Sequence, residues 1–569
     1  MMDQLKKFLS CFLLLLVTFS MDSTAQTSIK FGGFERVEKD FFGKEIVLER
    51  GTDLFVLDKE DKNIDLVLFQ FSKAPFIYLK RFNSTTFEIK NSVRILFPAK
   101  KKTKYEYAFM KLMNVNGQLL LFVKAKNSKT KQLKLLVQKL NDEGVQEGPF
   151  LEIDEASAEK TGVIFTQTNT GDFDVVQSAD GNLFASIRID PFDEESNKKI
   201  HVKVLNGNLG LNWSGTLELP YKEEFYQLRK YRLSNTGDML LLGRKWLTIE
   251  KQGLTGKTKT KIIQADKNQP NYQYNLVVFN AGSNKSNSVD VDFAGKFISA
   301  IDVVEHECPD SITIAGFYSE EAQDQYAGTF SCLYNEVANE FIYKKHQPFP
   351  TNFLNLFNAD FGLRSWLGGS SSDQELKNFK MDELIVRKDG AVLLVAEQYF
   401  VQVNTSTSRS ASGYSQVTTN YIYHYDHILA VYMDENGTVQ WNAKIPKRQL
   451  SYNDGGPYSS YVFNATDNGF SFIFNDNEDN IQRFKKGDKV KGVGSYKRAS
   501  VVEVYINNQG AMARKNMFMA DEQKIIFRPK SSWYPRDVYN SNKVYLYGLN
   551  YRTFRKTRFK LGVINFVDE

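Results

Sequence analysis

The sequence predicts an all-β chain, a single large β-propeller of about seven four-stranded blades (six to eight) closed by strands from its two ends. Three observations predict it. Short alternating or wholly apolar runs occur almost everywhere, and helical periodicity is scarce. A turn followed at once by an apolar run recurs along the chain. Aromatic residues, mostly Tyr and Phe, make up 14% of the composition, which suits pleated surfaces where flat rings pack well.

The first 25 residues read as a signal peptide, with Lys6 and Lys7 as the positive region and Phe8 to Phe19 as a short apolar run. Ser23 and Ala25 are the small residues before a cut at Gln26. The run is shorter than the roughly 20 apolar residues of a membrane span, and Phe8-Leu9-Ser10 before Cys11 is a poor lipidation signal. No later stretch is long and apolar enough to cross a bilayer as a helix. The expectation is an exported protein of a Gram-negative bacterium, in the periplasm or at the cell surface.

The repeat is written in turns. Asn116-Gly117, Asp180-Gly181, Thr236-Gly237, Pro309-Asp310, Asp389-Gly390 and Asn468-Gly469 each precede an apolar run, at intervals of roughly 56 to 79 residues. A second turn follows each one, at Gly144, Gly207, Gly282, Asn335–Asn339, Gly437 and Gly510. This pattern predicts a four-stranded antiparallel unit in which the first turn joins the two inner strands and the second leads to the outer strand. One such sheet cannot bury both faces, whereas neighbours packed in a ring can. Consecutive β-sandwiches would need linkers. The only candidate is 350–373, and its Phe353, Leu354, Leu356, Phe357, Phe361 and Trp366 suggest a packed inter-blade connection with one short helix.

Insertions are expected at the Lys-rich segment Lys251–Lys261 and the Ser/Thr-rich segment Asn404–Asn420, where they would build a rim. The last strong strands lie around Val544–Tyr551 and Phe559–Phe566, and the strands around Glu45 to Val56 are expected to complete that final sheet. Cys308 and Cys332 fall in one blade, either bridged or as two thiols.

Residues 385–480 carry a distinctive set of segments: Glu397-Gln398-Tyr399-Phe400, Tyr425-Asp426-His427-Ile428-Leu429-Ala430, Asn436-Gly437-Thr438-Val439-Gln440-Trp441, Tyr458-Ser459-Ser460-Tyr461 and Phe474-Asn475-Asp476-Asn477. This set resembles a group of uncharacterised secreted, propeller-like proteins of Bacteroidota. The resemblance implies export and a β-repeat fold, and it carries no activity.

Candidate sites are few. His424, Asp426 and His427 are the densest metal-capable group, yet neighbours on a strand face opposite ways, so three ligands converge only through a bulge. Asp426 is kept as a ligand-binding candidate near the channel mouth. Asp476, Asn477 and Asp479 offer oxygen atoms to calcium, although the EF-hand glycine and late glutamate are missing and Asx residues also fill ordinary turns. Asp454 opens a Gly455-Gly456-Pro457 loop in which the backbone can approach a ligand closely.

There is no G-x-S-x-G elbow, Walker loop, dinucleotide fingerprint or H-E-x-x-H, so no catalytic residue and no cofactor-binding residue is assigned, and calcium is the one ion left open. The net charge of +6 is mild for 569 residues and gives no reason to expect nucleic acid. Basic runs at Lys100–Lys104 and Arg552–Lys560 read as solvated strand edges, with an acidic envelope polymer as the alternative. The expected function is a non-enzymatic binding or scaffold propeller of the cell envelope, its partner an envelope protein or polysaccharide. The alternative is a carbohydrate-active hydrolase with paired carboxylates at the channel, a pairing that leaves no local trace in sequence.

Overall fold

The computed structural model describes residues 26–567 except 37–42, 60–75, 99–102, 128, 158–170, 253–257, 265, 267–268, 283–284, 309, 322–324, 359–374, 410–414, 534–541 and 551–556. The expected leader, Phe361, Trp366, Lys100 to Lys102, Arg552, Arg555 and Lys556 lie outside the described residues.

Glycine-bearing turns close short hairpins, and the hairpins assemble into eight sheets of at least four antiparallel strands each among the described residues. Blade 1 begins with Gly43–Arg50, blade 2 with Glu106–Val115, blade 3 with Asp172–Gln177 and blade 4 with Tyr226–Leu233. Blade 5 begins with Phe297–Glu305, blade 6 with Phe379–Val386, blade 7 with Val462–Thr466 and blade 8 with Ile526–Phe527. Every first turn read from the sequence joins strands one and two of its blade, and every second turn joins strands three and four.

The second strands show why the blades cannot stand alone. Leu119–Val123, Leu240–Leu242 and Val392–Ala396 are buried on both faces, because one face meets the preceding blade and the other meets the next. Phe55 and Leu57 pack with Leu119 and Leu121, joining blades 1 and 2. Leu120 and Phe122 pack with Phe184, joining 2 and 3, and Ala185 and Ile187 pack with Leu241, joining 3 and 4. Leu240 and Leu242 pack with Ile312 and Ile314, then Ala315 and Phe317 with Val392 and Leu394, then Leu393 and Val395 with Phe470 and Phe472. Ile473 packs with Val544 and Leu546, and Tyr545 and Tyr547 return to Leu54 and Val56 of blade 1. The apolar core is therefore a closed circle with one cluster at each of its eight inter-blade faces. Each large side chain sealed in it contributes about 1.5–3 kcal/mol of burial.

Outer strands dock under the turns of the next blade. Trp441, on the outer strand of blade 6, donates from Nε1 to the Asn508 carbonyl at 3.0 Å in the blade 7 turn. Its ring lies so close to Gly510 that a β-carbon there would come within 2.8 Å of Trp441 Cγ. Tyr343 of blade 5 sits in the same way under Gly437 of blade 6.

The ring is locked by its N-terminal strand, and one expectation needs correcting. The strand that completes the last blade is Gln26–Arg36, antiparallel to Arg558–Val567. The residues around Glu45 to Val56 instead form the first hairpin of blade 1, Gly43–Arg50 on Asp53–Lys59. Gly51, at φ +57°, turns that hairpin back on itself and gives it a local partner, so it is not free to travel to the other end of the chain. Cys308 and Cys332 are separate free thiols, the first exposed and the second buried in blade 5.

The two ends of the ring differ. Strands one and two, and strands three and four, are joined by short turns at one end in blades 1 to 7. The opposite end carries the ribbon Thr248–Gln252/Thr258–Ile262, the helix Thr351–Asn358, the 446–461 loop and the helix Asn480–Lys486. It also carries the far half of the hairpin Val392–Arg409/Ser415–Met433. The helix Thr351–Asn358 lies in the 350–373 connection with Phe353, Leu354 and Phe357 buried, whereas Leu356, expected to be packed, is on its solvent side and 53% exposed.

Candidate functional site

The inner strands surround a central cavity of about 810 Å³. Its wall is mixed, with Lys111, Gln177, Tyr231, Glu305, Ile385 and Asn464 on six different blades. Aromatic plugging is therefore not what fills it. Polar side chains stitch neighbouring inner strands together: Lys111 pairs with Asp174 at 3.0 Å, Tyr231 donates to Asp174 at 2.6 Å, and Arg232 pairs with Asp302 at 3.2 Å. The Lys111 ammonium and the Tyr231 hydroxyl, together with the Val175 amide, hold the Asp174 carboxyl below its usual range against the opposing pull of burial.

Toward the loop-rich end, side chains from three blades meet at the channel mouth. Their foundation is a buried ion pair. Lys447, just past the last strand of blade 6, has its side chain completely sealed, and Glu397 is 6% exposed. The Lys447 ammonium forms an ion pair with Glu397 Oε1 at 2.8 Å and donates to the Tyr425 carbonyl at 2.8 Å and to Gln449 Oε1 at 3.1 Å. Ser460 donates to the second oxygen of Glu397 at 2.9 Å, and its backbone N–H donates to Gln449 at 2.8 Å. Gln449 in turn donates to the Asn475 carbonyl of blade 7 at 2.8 Å.

Above this base stand groups open to solvent. The inner strand of blade 6 has a bulge between Met381 and Glu383, where Asp382 is the extra residue. The bulge re-aims its side chain, as bulges near sites do. Asp382 keeps an exposed face and accepts from the Tyr461 hydroxyl of blade 7 at 3.0 Å. Crowding by the surrounding protein, and next the Glu397 carboxylate, raise its pKa to about 7.

In blade 8 the inner strand breaks after Phe527 into a 3-10 turn, Pro529–Ser531, which carries Lys530 to blade 6. The Lys530 ammonium lies 2.5 Å from the Tyr425 hydroxyl and 4.1 Å from the centre of that ring. Desolvation, aided by the Lys380 and Lys447 charges and opposed by Glu397, lowers its pKa to about 8. The Tyr399 ring lies 4.8 Å from Tyr425, centroid to centroid. The mouth thus presents an acid and an amine that both titrate near neutrality, set among tyrosines. Titratable groups perturbed in this way concentrate at functional sites.

The residues singled out from the sequence fall around this mouth or away from it. Asp454 is beside it: its carboxylate accepts from the Gly456 N–H at 2.9 Å, and the Gly455 carbonyl accepts from the Tyr425 hydroxyl at 3.1 Å. Gly456 allows a close approach to the Tyr425 ring, which a β-carbon there would meet at 2.5 Å. Asp426 is half-buried and 3.8 Å from His424 Nδ1, on the same face. A bulge does occur here, with Asp426 and His427 opposite Gln398, but His427 turns to Phe357, at 6.0 Å between ring centres.

The calcium candidates point apart. Asp476 is buried in an ion pair with Arg514 and accepts from Asn480 at 2.7 Å. Asn477 donates to the Gly492 carbonyl at 3.1 Å, and Asp479 pairs with Lys491 at the surface. Among the described residues no three His, Cys, Asp or Glu side chains are grouped as a metal site would need. Asp382, Glu397, Lys447 and Lys530 escaped sequence reasoning because no spacing links them. A wholly buried lysine announces itself only through its partner, and that partner lies on another strand.

No family model matches the chain, and no curated protein matches it in sequence. Solved structures similar to it share little identity. The β-propeller domain of the Trilobed protease from Pyrococcus furiosus is 8% identical with a TM-score of 0.34, over 85% of this chain and 98% of that one. A protein of unknown function from Bacteroides caccae is 12% identical with a TM-score of 0.24, over 66% and 91%. An apocarotenoid oxygenase from Synechocystis is 9% identical with a TM-score of 0.31, over 93% and 91%. The chain spans less than two-fifths of the length of two prolyl oligopeptidase B structures from Galerina marginata.

Proposed function

We propose that this propeller is an exported, non-enzymatic binding protein of a Gram-negative cell envelope, as its resemblance to secreted Bacteroidota propellers implies, and that it takes a polyhydroxylated glycan at the loop-rich mouth. One observation carries the choice of site: Asp382, Tyr425, Tyr461 and Lys530 converge there from blades 6, 7 and 8 on a buried Lys447–Glu397 base. The half-buried Tyr399 and Tyr461 rings give a sugar ring apolar contact, with Tyr425 buried beneath Lys530, while a carboxyl and an ammonium group supply directional hydrogen bonds to hydroxyls. The foundation holds these groups in place before any ligand arrives, which lowers the entropy cost of binding.

Calorimetry against a panel of neutral and acidic envelope oligosaccharides tests this. At least one should bind, and Asp382→Asn or Lys530→Met should weaken it about tenfold or more, equivalent to roughly 1.4 kcal/mol. No binding across the panel, or binding indifferent to both changes, would count against the proposal.

A second reading has its own support in the proximity of Asp382 to a second carboxylate, Glu397, with Asp382 raised to about 7. That is the setting of a general acid, and it suits glycoside hydrolysis. Glu397 is held by Lys447 and Ser460, so in this reading it tunes Asp382 and does not attack. Release of reducing ends from the same panel, abolished in Asp382→Asn, would favour a hydrolase.

A further inference from the structure

The hairpin Val392–Arg409/Ser415–Met433 runs well past its blade. Strand Val392–Arg409 pairs with the inner strand of blade 6 only as far as Gln398, whose partner is Phe379, and the Tyr399 N–H then donates to the Asn378 carbonyl at 2.8 Å. From Val401 to Arg409 that same edge, on the side of the inner strand, meets no other strand among the described residues. The opposite edge is partly closed. Gln449–Tyr452 pairs with Ile422–Tyr425, and the Asn453 N–H donates to the Tyr421 carbonyl at 2.9 Å. The longer open edge is thus Val401–Arg409.

Open edges are normally guarded by lysines, prolines or other charges. The second ribbon of the same end obeys this rule, with Lys251, Lys259 and Lys261 on its two strands. Val401–Arg409 and Ser415–Tyr421 contain one charged residue, Arg409, in a chain that is 25% charged. One face of the ribbon carries Val401, Val403, Thr405 and Thr407 beside Val417, Thr419 and Tyr421. Val403 is 54% exposed and Val417 62%.

We infer that the Val401–Arg409 edge pairs antiparallel with the same edge of a second copy of this chain, joining two ribbons into one four-stranded sheet across a two-fold axis. A two-fold axis sets each edge against its own sequence, so a lysine-guarded edge would place like charges together at a cost. The uncharged edge between Val401 and Ser408 meets itself without that cost, and its β-branched residues suit cross-strand pairs. The axis stands perpendicular to the sheet, so the two Val/Thr stripes lie side by side and shield each other.

Sedimentation velocity of the full chain at rising concentration tests this, together with the double variant Val403→Lys/Thr405→Lys. The expected result is a monomer–dimer equilibrium in the parent and a monomer in the variant, with an unchanged Tm at dilution where the parent is monomeric, because both side chains are exposed. In a Cys11→Ser/Cys308→Ser background, which leaves only the buried Cys332, cysteines introduced singly at Asn404, Thr405 or Ser406 should cross-link to their own counterparts, most strongly at the residue nearest the axis. A parent that stays monomeric, a dimer that survives the lysines, or the absence of any self-cross-link at these positions would overturn the inference.

Discussion

Lys447 meets Glu397 at 2.8 Å with both side chains shut away from solvent, and this pair ties the exit of blade 6 to the second strand of the same blade. Its position explains the mouth. The charge that raises Asp382 is held in place by Lys447, and the Tyr425 carbonyl that accepts from Lys447 belongs to the residue whose ring carries Lys530.

Breaking this pair leaves a buried charge without a partner, which typically costs about 3–5 kcal/mol. Lys447→Met is expected to lose stability on that scale in urea unfolding. Lys447→Met combined with Glu397→Gln should recover part of the loss, because the stranded charge is gone. An additive double variant would show that the two groups act independently.

The pH dependence of stability has two opposite windows. Asp382 rises from 3.8 to about 7 on folding, so between those values the folded chain holds a proton that the unfolded chain has released. Stability therefore falls as pH increases from about 4 to 7, and Asp382→Asn should remove that fall. Lys530 drops from 10.5 to about 8, so between about 8 and 10.5 the unfolded chain holds the extra proton. Stability therefore rises with pH there, and Lys530→Met should flatten the rise. Urea midpoints across the pH range read both slopes.

The turn chemistry made the repeat legible. Asn116-Gly117, Asp180-Gly181 and Asp389-Gly390 need glycine at positive φ, and that need is local and visible in sequence. Blade 1 was harder to read because it lacks that signature at its second turn: Asn83 caps Thr85 and Thr86 there with its side chain, without a glycine. The candidate site was hidden for a different reason. Asp382, Glu397, Lys447, Ser460 and Lys530 are spread over three blades, and only ring geometry brings them together. Asp476, which looked like a calcium ligand in a run of Asx residues, pairs with Arg514, a residue far along the chain.

Gly510 is expected to tolerate no side chain. Its φ of +81° is strained for other residues, and its β-carbon would press on the Trp441 ring. Strain of about 1–3 kcal/mol and overpacking of similar size both act in Gly510→Ala. The variant should unfold at clearly lower urea than the parent. Trp441→Ala should relieve the clash and make the double variant less destabilised than the sum of the two changes.

Ring closure can be probed from inside. Phe559 is fully buried on the last strand of the chain, 5.4 Å from Tyr547 of its own blade and 6.0 Å from Phe82 of blade 1, measured between ring centres. Phe559→Ala removes an aromatic side chain from the cluster that joins the last blade to the first, at a cost of about 3–5 kcal/mol. Because that cluster also lies next to the sheet holding Gln26–Arg36, its loss should loosen the terminal strand before the remaining blades. Hydrogen exchange is the measurement: protection should drop first at Ile29 and Phe31 and at their partners Ile564 and Gly562, while Leu241 and Ile314 across the ring keep theirs. Uniform loss around the circle would mean that the ring opens as one cooperative unit and that its terminal strand is no weaker than the rest.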